Sequence, residues 1–72
     1  MLQLIGTYNC NRCSMTKTIL NNKGIRYQYI QYEELSQVEQ DYYFELARKA
    51  GHGSFPILLL DGEITTLQDL MK

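Results

Sequence analysis

The sequence has few of the residues that mark several common classes of protein. In 72 residues it has no tryptophan, one histidine, one proline and two cysteines. Two cysteines are too few for the disulfide framework of a small secreted domain, which normally carries four to eight. No segment approaches the roughly 20 apolar residues that span a bilayer, and no basic segment followed by an apolar stretch opens the chain. We therefore expect a soluble, cytoplasmic protein.

The charge balance argues against two kinds of partner. Seven basic and eight acidic residues give a formal net charge of -1. Proteins that bind nucleic acid or anionic membranes usually carry a basic patch, so we expect neither partner. A chain this short allows one domain, covering residues 1–72, and we expect a monomer.

The hydrophobic pattern predicts strands and helices in alternation. Strands are expected at 2–5, 25–32, 57–60 and 63–65, with a hairpin turn at Asp61-Gly62. Helices are expected at 10–23, ended by Gly24, then from the capping box Ser36 to Glu39 up to Gly51, and at 67–72. Two apolar stripes are expected to face inward: Val38, Tyr42, Leu46 and Ala50, flanked by Tyr43 and Ala47, and then Leu67, Leu70 and Met71. This order indicates an α/β fold with a right-handed parallel crossover between the first two strands.

Cys10 and Cys13 form the motif that carries chemistry. They close too small a loop to stabilise a fold, since disulfide stabilisation grows with the length of chain enclosed. Cys10 is expected near the N-cap of the first helix, where free amides and the helix dipole favour a thiolate. Cys13 lies one turn further, within disulfide range. We expect Cys10 to be the nucleophile and Cys13 to resolve the mixed disulfide.

Two cations lie close to the cysteines in sequence. Arg12 and Lys17 are expected to assist thiolate formation and to attract an anionic thiol. The alternative is that both are ordinary solvated side chains. Tyr8 is expected to project near the sulfurs, either shaping a groove for a bound thiol or simply packing. His52 is expected to be an exposed loop residue, although it can also line the groove.

Two separated segments resemble the glutaredoxin family. The stretch from Ile5 to Lys17 (IGTYNCNRCSMTK) is similar to the family's active-site segment, including a lysine four places after the second cysteine. The stretch from Gly51 to Ile57 (GHGSFPI) is similar to the family's glycine followed by a Thr-Val-Pro step into the third strand. The resemblance covers nearly the whole chain. It implies a thioredoxin-like fold of three layers, α/β/α, around a four-stranded mixed sheet.

The same resemblance implies a dithiol oxidoreductase that reduces protein or glutathione mixed disulfides, with glutathione as co-substrate and no bound cofactor. It implies a cis Phe55-Pro56 bond, which leaves the Phe55 backbone free to pair with an extended peptide or glutathione. The alternative is a trans proline that opens an edge strand. The binding residues expected from the resemblance are Tyr8, Arg12, Ser54, Phe55, Pro56, Thr66, Leu67 and Gln68.

The sequence departs from the family pattern in two places. Glutathione-binding members commonly have a Gly-Gly pair, a small residue and an aspartate where this chain has Thr65-Thr66-Leu67-Gln68-Asp69. The amides of Leu67 and Gln68, at the start of the last helix, are still expected to receive a carboxylate. Asn11-Arg12 replaces the usual Pro-Tyr. This and the short C-terminus resemble the redoxins that supply electrons to ribonucleotide reductase, some of which are reduced by thioredoxin reductase.

Two other interpretations remain open at this stage. A Cys-x-x-Cys pair is half of a four-ligand metal site, so Cys10 and Cys13 can be zinc or iron-sulfur ligands in a dimer, with His52 as a third ligand. A purely structural or adaptor domain on the same fold would perform no disulfide exchange.

Overall fold

The computed structural model describes residues 1–51 and 53–71. Its strands are β1 (Leu2–Gly6), β2 (Tyr27–Gln31), β3 (Ile57–Leu60) and β4 (Glu63–Thr65), and its helices are α1 (Asn11–Asn22), α2 (Gln37–Lys49) and α3 (Leu67–Leu70). A single 3-10 turn, Tyr32–Glu34, connects β2 to α2. No helix in the described part of the chain is long and apolar enough to cross a membrane.

The strands form one mixed sheet in the order β2-β1-β3-β4. β1 runs parallel to β2, with Gly6 opposite Gln31, and antiparallel to β3, with Ile5 opposite Ile57. β3 and β4 form the expected hairpin around Asp61-Gly62, and its register pairs Leu60 with Glu63. The expected α/β fold with a four-stranded mixed sheet is confirmed.

Helices cover both faces of the sheet because successive residues of β1 point to opposite sides. Leu4 and Ile5 are both fully buried, but they belong to different cores. The first core joins the sheet to α1 and α3 and contains Leu2, Leu4, Leu20, Leu58, Leu67 and Leu70. The second joins the sheet to α2 and contains Ile5, Ala47, Ile57, Leu59, Tyr43 and Leu46. The result is the expected three-layer arrangement.

The predicted inward face of α2 is partly wrong. Val38 and Tyr42 are 78% and 58% exposed, and Ala50 is exposed as well. The buried face instead carries Ala47, flanked by Tyr43 and Leu46. A spacing of four residues advances about 40° per step around a helix, so a stripe of that period cannot stay on one face. The small side chain of Ala47 faces the sheet instead.

The ends of other elements also differ from the predictions. β2 begins two residues later than predicted, because the amide of Ile25 bonds the Leu20 carbonyl at 2.9 Å and closes the end of α1. It ends one residue earlier, where the 3-10 turn begins at Tyr32. Met71 is 51% exposed and does not face the sheet as expected. Lys72, in the predicted last helix, lies outside the described residues.

The predicted capping box starts α2. The Ser36 hydroxyl accepts the Glu39 amide at 3.2 Å, and the Glu39 carboxylate accepts the Ser36 amide. Ser36→Ala should lower the free energy of unfolding by about 1 kcal/mol, because the amide loses its partner. Chemical denaturation measures this, with Ser14→Ala inside α1 as the matched control. An equal loss in both variants would show that the cap contributes nothing.

Tyr42 and Tyr43 test the corrected face of α2. Their rings contact each other edge to face, so truncating either one removes that contact. Only Tyr43 packs against the second core. We expect Tyr43→Ala to lower the free energy of unfolding by about 2 kcal/mol more than Tyr42→Ala, since a packed aromatic side chain leaves a cavity. Equal losses would mean that the packed face is assigned wrongly.

Candidate active site

The loop between β1 and α1 presents Cys10 at the start of the helix. Asn9 adopts a left-handed conformation with φ 55°, which asparagine tolerates better than most residues, and this turns the chain after Tyr8. Cys10 is the N-cap of α1, and its Sγ accepts the backbone N–H of Cys13 at 3.1 Å. The position expected from the sequence is therefore the observed one. An anion on this sulfur would meet a free amide and the positive end of the helix dipole.

The two sulfurs are joined in a disulfide, with Cα atoms 5.2 Å apart. Their exposure differs: Cys13 is 2% exposed and faces the sheet, whereas Cys10 is partly exposed. An external disulfide can therefore reach the first sulfur more easily than the second. This asymmetry suits an attacking cysteine followed by a resolving one.

The pairing of β1 with β3 places Pro56 at the same end of the sheet as the cysteine loop. Ile5 lies opposite Ile57, so the residue before β3 lies at the same end of the sheet as the β1–α1 loop. The Phe55-Pro56 peptide bond is cis, as the family resemblance implies.

A groove of about 310 Å³ runs beside the cysteine loop. It brings together five of the expected binding residues: Arg12, Ser54, Pro56, Thr66 and Leu67. Arg12 is the one charged side chain in its described lining. The groove can therefore hold a mainly apolar segment that places an anionic group near Arg12.

The remaining residues that line the groove were not predicted from the sequence. Met15, Thr16 and Ile19 line the groove from α1, together with Ile57, Leu58, Ile64 and Thr65 from the sheet. Met15 is 64% exposed, which is unusual for a large apolar side chain next to a reactive pair. The signal was available, because positions three, four and seven residues after Arg12 share its helix face.

Three expected binding residues, Tyr8, Phe55 and Gln68, lie outside the described lining of the groove. The Phe55 ring packs edge to face on Tyr32 in the second core, and the role expected of Phe55 concerns its backbone and not this ring. Gln68 is exposed outside the described lining of the groove. Thr66 does line the groove, and its hydroxyl accepts the Asp69 amide at 3.1 Å and caps α3, which is a single turn.

Tyr8 points toward the β2 edge, away from the groove. Its hydroxyl donates to Glu34 at 2.9 Å and its amide donates to Glu33, also at 2.9 Å. The hydrogen bond and charge of Glu34 raise the pKa of Tyr8, while the Tyr8 amide lowers the pKa of Glu33. Both glutamates belong to the 3-10 turn that precedes α2, and this turn brings them back to the cysteine loop.

Lys17 extends over the ring of Tyr29, with Nζ 3.6 Å from the ring centroid. This is a cation-π contact on the β2 side of α1. His52, the expected loop residue and possible third ligand, lies outside the described residues. Among the residues that are described, no group of three or more His, Cys, Asp or Glu side chains could hold a metal ion.

Known proteins share this fold. The family model described as Glutaredoxin matches residues 3–65. The crystal structure of the thioredoxin-like protein BC3987 has a TM-score of 0.71 at 16% identity, covering 99% of this chain and 96% of that one. No curated protein matches the sequence significantly.

Two plant structures are similar over most of the chain. A buckwheat glutaredoxin-glutathione complex has a TM-score of 0.68 at 24% identity, and the holo form of glutaredoxin C1 from Populus tremula x tremuloides has 0.69 at 25%. In both cases 88% of this chain is covered but only 56% of the plant chain, so the protein spans a little over half their length.

The family match extends from β1 through β4 and includes both the cysteine pair and the cis proline. The chain belongs to the glutaredoxin family.

Proposed function

We propose that the protein is a dithiol oxidoreductase that reduces protein disulfides and glutathione mixed disulfides through Cys10 and Cys13. The observation that carries this proposal is the cap geometry: the Cys10 sulfur accepts the Cys13 amide and is bonded to the buried Cys13 sulfur. A helix N-cap stabilises negative charge on the attacking atom. The membership of the glutaredoxin family supports the same chemistry.

The reaction proceeds in two exchanges. The Cys10 thiolate attacks one sulfur of the substrate disulfide; a bond forms to Cys10, and the other substrate sulfur leaves as a thiolate and takes a proton from water. Cys13 then attacks the Cys10 sulfur of the mixed disulfide. Its bond to Cys10 forms, the remaining substrate thiol is released, and the proton of Cys13 ends on that thiol. The substrate gains two electrons and the cysteine pair is oxidised.

We infer that the groove binds the peptide part of a mixed disulfide, with glutathione as its small-molecule form. Support comes from its mainly apolar lining, the cis proline in that lining and the guanidinium of Arg12. Guanidinium binds carboxylates in a fixed geometry, and glutathione carries two of them. The buckwheat relative is described as a complex with glutathione.

We propose ribonucleotide reductase as a protein substrate, with either glutathione or thioredoxin reductase as the electron source. The support is the resemblance of Asn11-Arg12 to the same positions in redoxins that act in this way. We further propose that the protein works as a monomer. We also propose that it is cytoplasmic, because a reactive cysteine pair is typical of reducing compartments. Turnover of ribonucleotide reductase with each reductant in parallel identifies the donor.

Substituting the two cysteines separately tests the dithiol mechanism. Cys10→Ser should abolish reduction of a model disulfide, because the attacking sulfur is gone. Cys13→Ser should accumulate a mixed disulfide on Cys10, which mass spectrometry detects, and should retain only turnover that depends on added thiol. Near-normal activity of both variants would refute the mechanism.

The metal content of the same proteins tests the alternative. Stoichiometric zinc or iron in the purified protein, lost in both variants, would favour the metal-binding interpretation.

Arg12→Ala tests the groove. We expect the KM for a glutathione mixed disulfide to rise roughly threefold to tenfold, because one charge-assisted contact near the surface is lost. The KM for an uncharged disulfide such as hydroxyethyl disulfide should change little. Arg26→Ala, a cation removed on the β2 side, is the matched control. An equal rise for both disulfides would show that Arg12 acts on the sulfur and does not bind glutathione.

A further inference from the structure

A close approach occurs at Gly6, the last residue of β1. A Cβ placed on Gly6 would lie 3.0 Å from the Tyr29 hydroxyl and 3.2 Å from the Cys13 sulfur. Both distances are shorter than ordinary contacts between carbon and these atoms. A side chain at this position would therefore crowd both atoms. The phenol oxygen and the resolving sulfur border the same small space, left open by the glycine.

Three contacts hold the Tyr29 ring beneath α1. The ring packs against the first core, and the Lys17 ammonium covers its face at 3.6 Å. Its hydroxyl donates to the side-chain carbonyl of Gln31 at 2.7 Å, and the Gln31 amide donates in turn to Glu33 at 2.7 Å. The hydroxyl oxygen is therefore fixed in position, while its proton can rotate about the C–O bond.

The charged and titratable groups around this space come from three segments. Lys17 comes from α1, Glu33 and Glu34 from the 3-10 turn, and Tyr8 from the β1–α1 loop. Burial, and then the charges of Glu33 and Glu34, raise the pKa of Tyr29. The phenol thus keeps its proton throughout the neutral range. It can therefore donate a hydrogen bond, but it is a poor general acid.

We propose that Tyr29 stabilises the thiolate of the resolving cysteine by donating its hydroxyl hydrogen bond to Cys13 Sγ during release of the substrate. The inference rests on the proposed function, since it concerns the second exchange of that mechanism. In the disulfide state the hydroxyl donates to Gln31. When Cys13 carries charge, the donor turns to the sulfur, because a hydrogen bond to a charged form stabilises it. Tyr29 keeps its proton throughout; the proton lost by Cys13 ends on the released thiol.

The two exchanges can be timed separately with an aromatic disulfide that releases a coloured thiolate. Attack by Cys10 releases the first thiolate at a rate proportional to disulfide concentration, and attack by Cys13 releases the second at a rate independent of it. Tyr29→Phe keeps the ring but removes the donor. We expect it to lower the rate constant of the second phase about tenfold at neutral pH. The midpoint of the pH dependence of that rate constant should rise by about one unit. The first phase should stay within about twofold.

Two further variants separate this role from a structural one. Tyr27→Phe, two residues earlier on the same strand and face, should leave both phases unchanged. A fluorinated tyrosine at position 29, whose phenol is the more acidic donor, should move the midpoint of the second phase downward. An unchanged second phase in Tyr29→Phe, or equal slowing of both phases with a lower melting temperature, would overturn the proposal for Tyr29. If the unaltered protein releases no second thiolate, the proposed dithiol function fails, whatever the variants do.

Discussion

The active site depends on one constraint, the position of the Cys10 sulfur at the N-terminus of α1. That sulfur accepts the amide of Cys13, so the residue that bonds it covalently also provides its hydrogen bond. The short loop after β1, with its left-handed residue Asn9, fixes where the helix begins. A shift of α1 by one residue would bury Cys10 or turn Cys13 away from the sheet.

The sheet topology explains why segments far apart in sequence share this site. The end of β1 and the start of β3 lie together because these strands are antiparallel. The end of β2 lies there too, because β2 runs parallel to β1. The cysteine loop therefore has Pro56 and the groove on one side. On the other side it has a polar network of Tyr29, Gln31, Glu33 and Tyr8. The first side suits substrate binding, and the second adjoins the buried sulfur.

Local signals in the sequence predicted most of the fold. The Ser36 capping box, the Asp61-Gly62 turn and Gly24 with φ 71° each act within a few residues, and each marks an element boundary correctly. The inward face of α2 was only partly predictable. Val38 and Tyr42 are apolar enough for a core but are exposed, whereas Ala47, expected only beside the stripe, is fully buried.

The site was predictable to a similar degree. Cys10 and Cys13 follow from spacing and from the predicted start of the helix, and Pro56 follows from the family resemblance. The neighbours of the cysteines on β2 and on the 3-10 turn do not follow, because strand register decides which tyrosine lies beneath Cys13. Sequence alternation places Tyr27 and Tyr29 on the same face, but it does not say which of them meets the open space at Gly6.

The most direct test of the account is the pH dependence of alkylation at Cys10 in the fully reduced protein, followed by mass spectrometry. If the helix start stabilises the thiolate, the midpoint of reactivity lies well below the value of about 8.5 for an ordinary cysteine. A midpoint at or above that value would contradict the account, because the cap would then give the sulfur no advantage as a nucleophile.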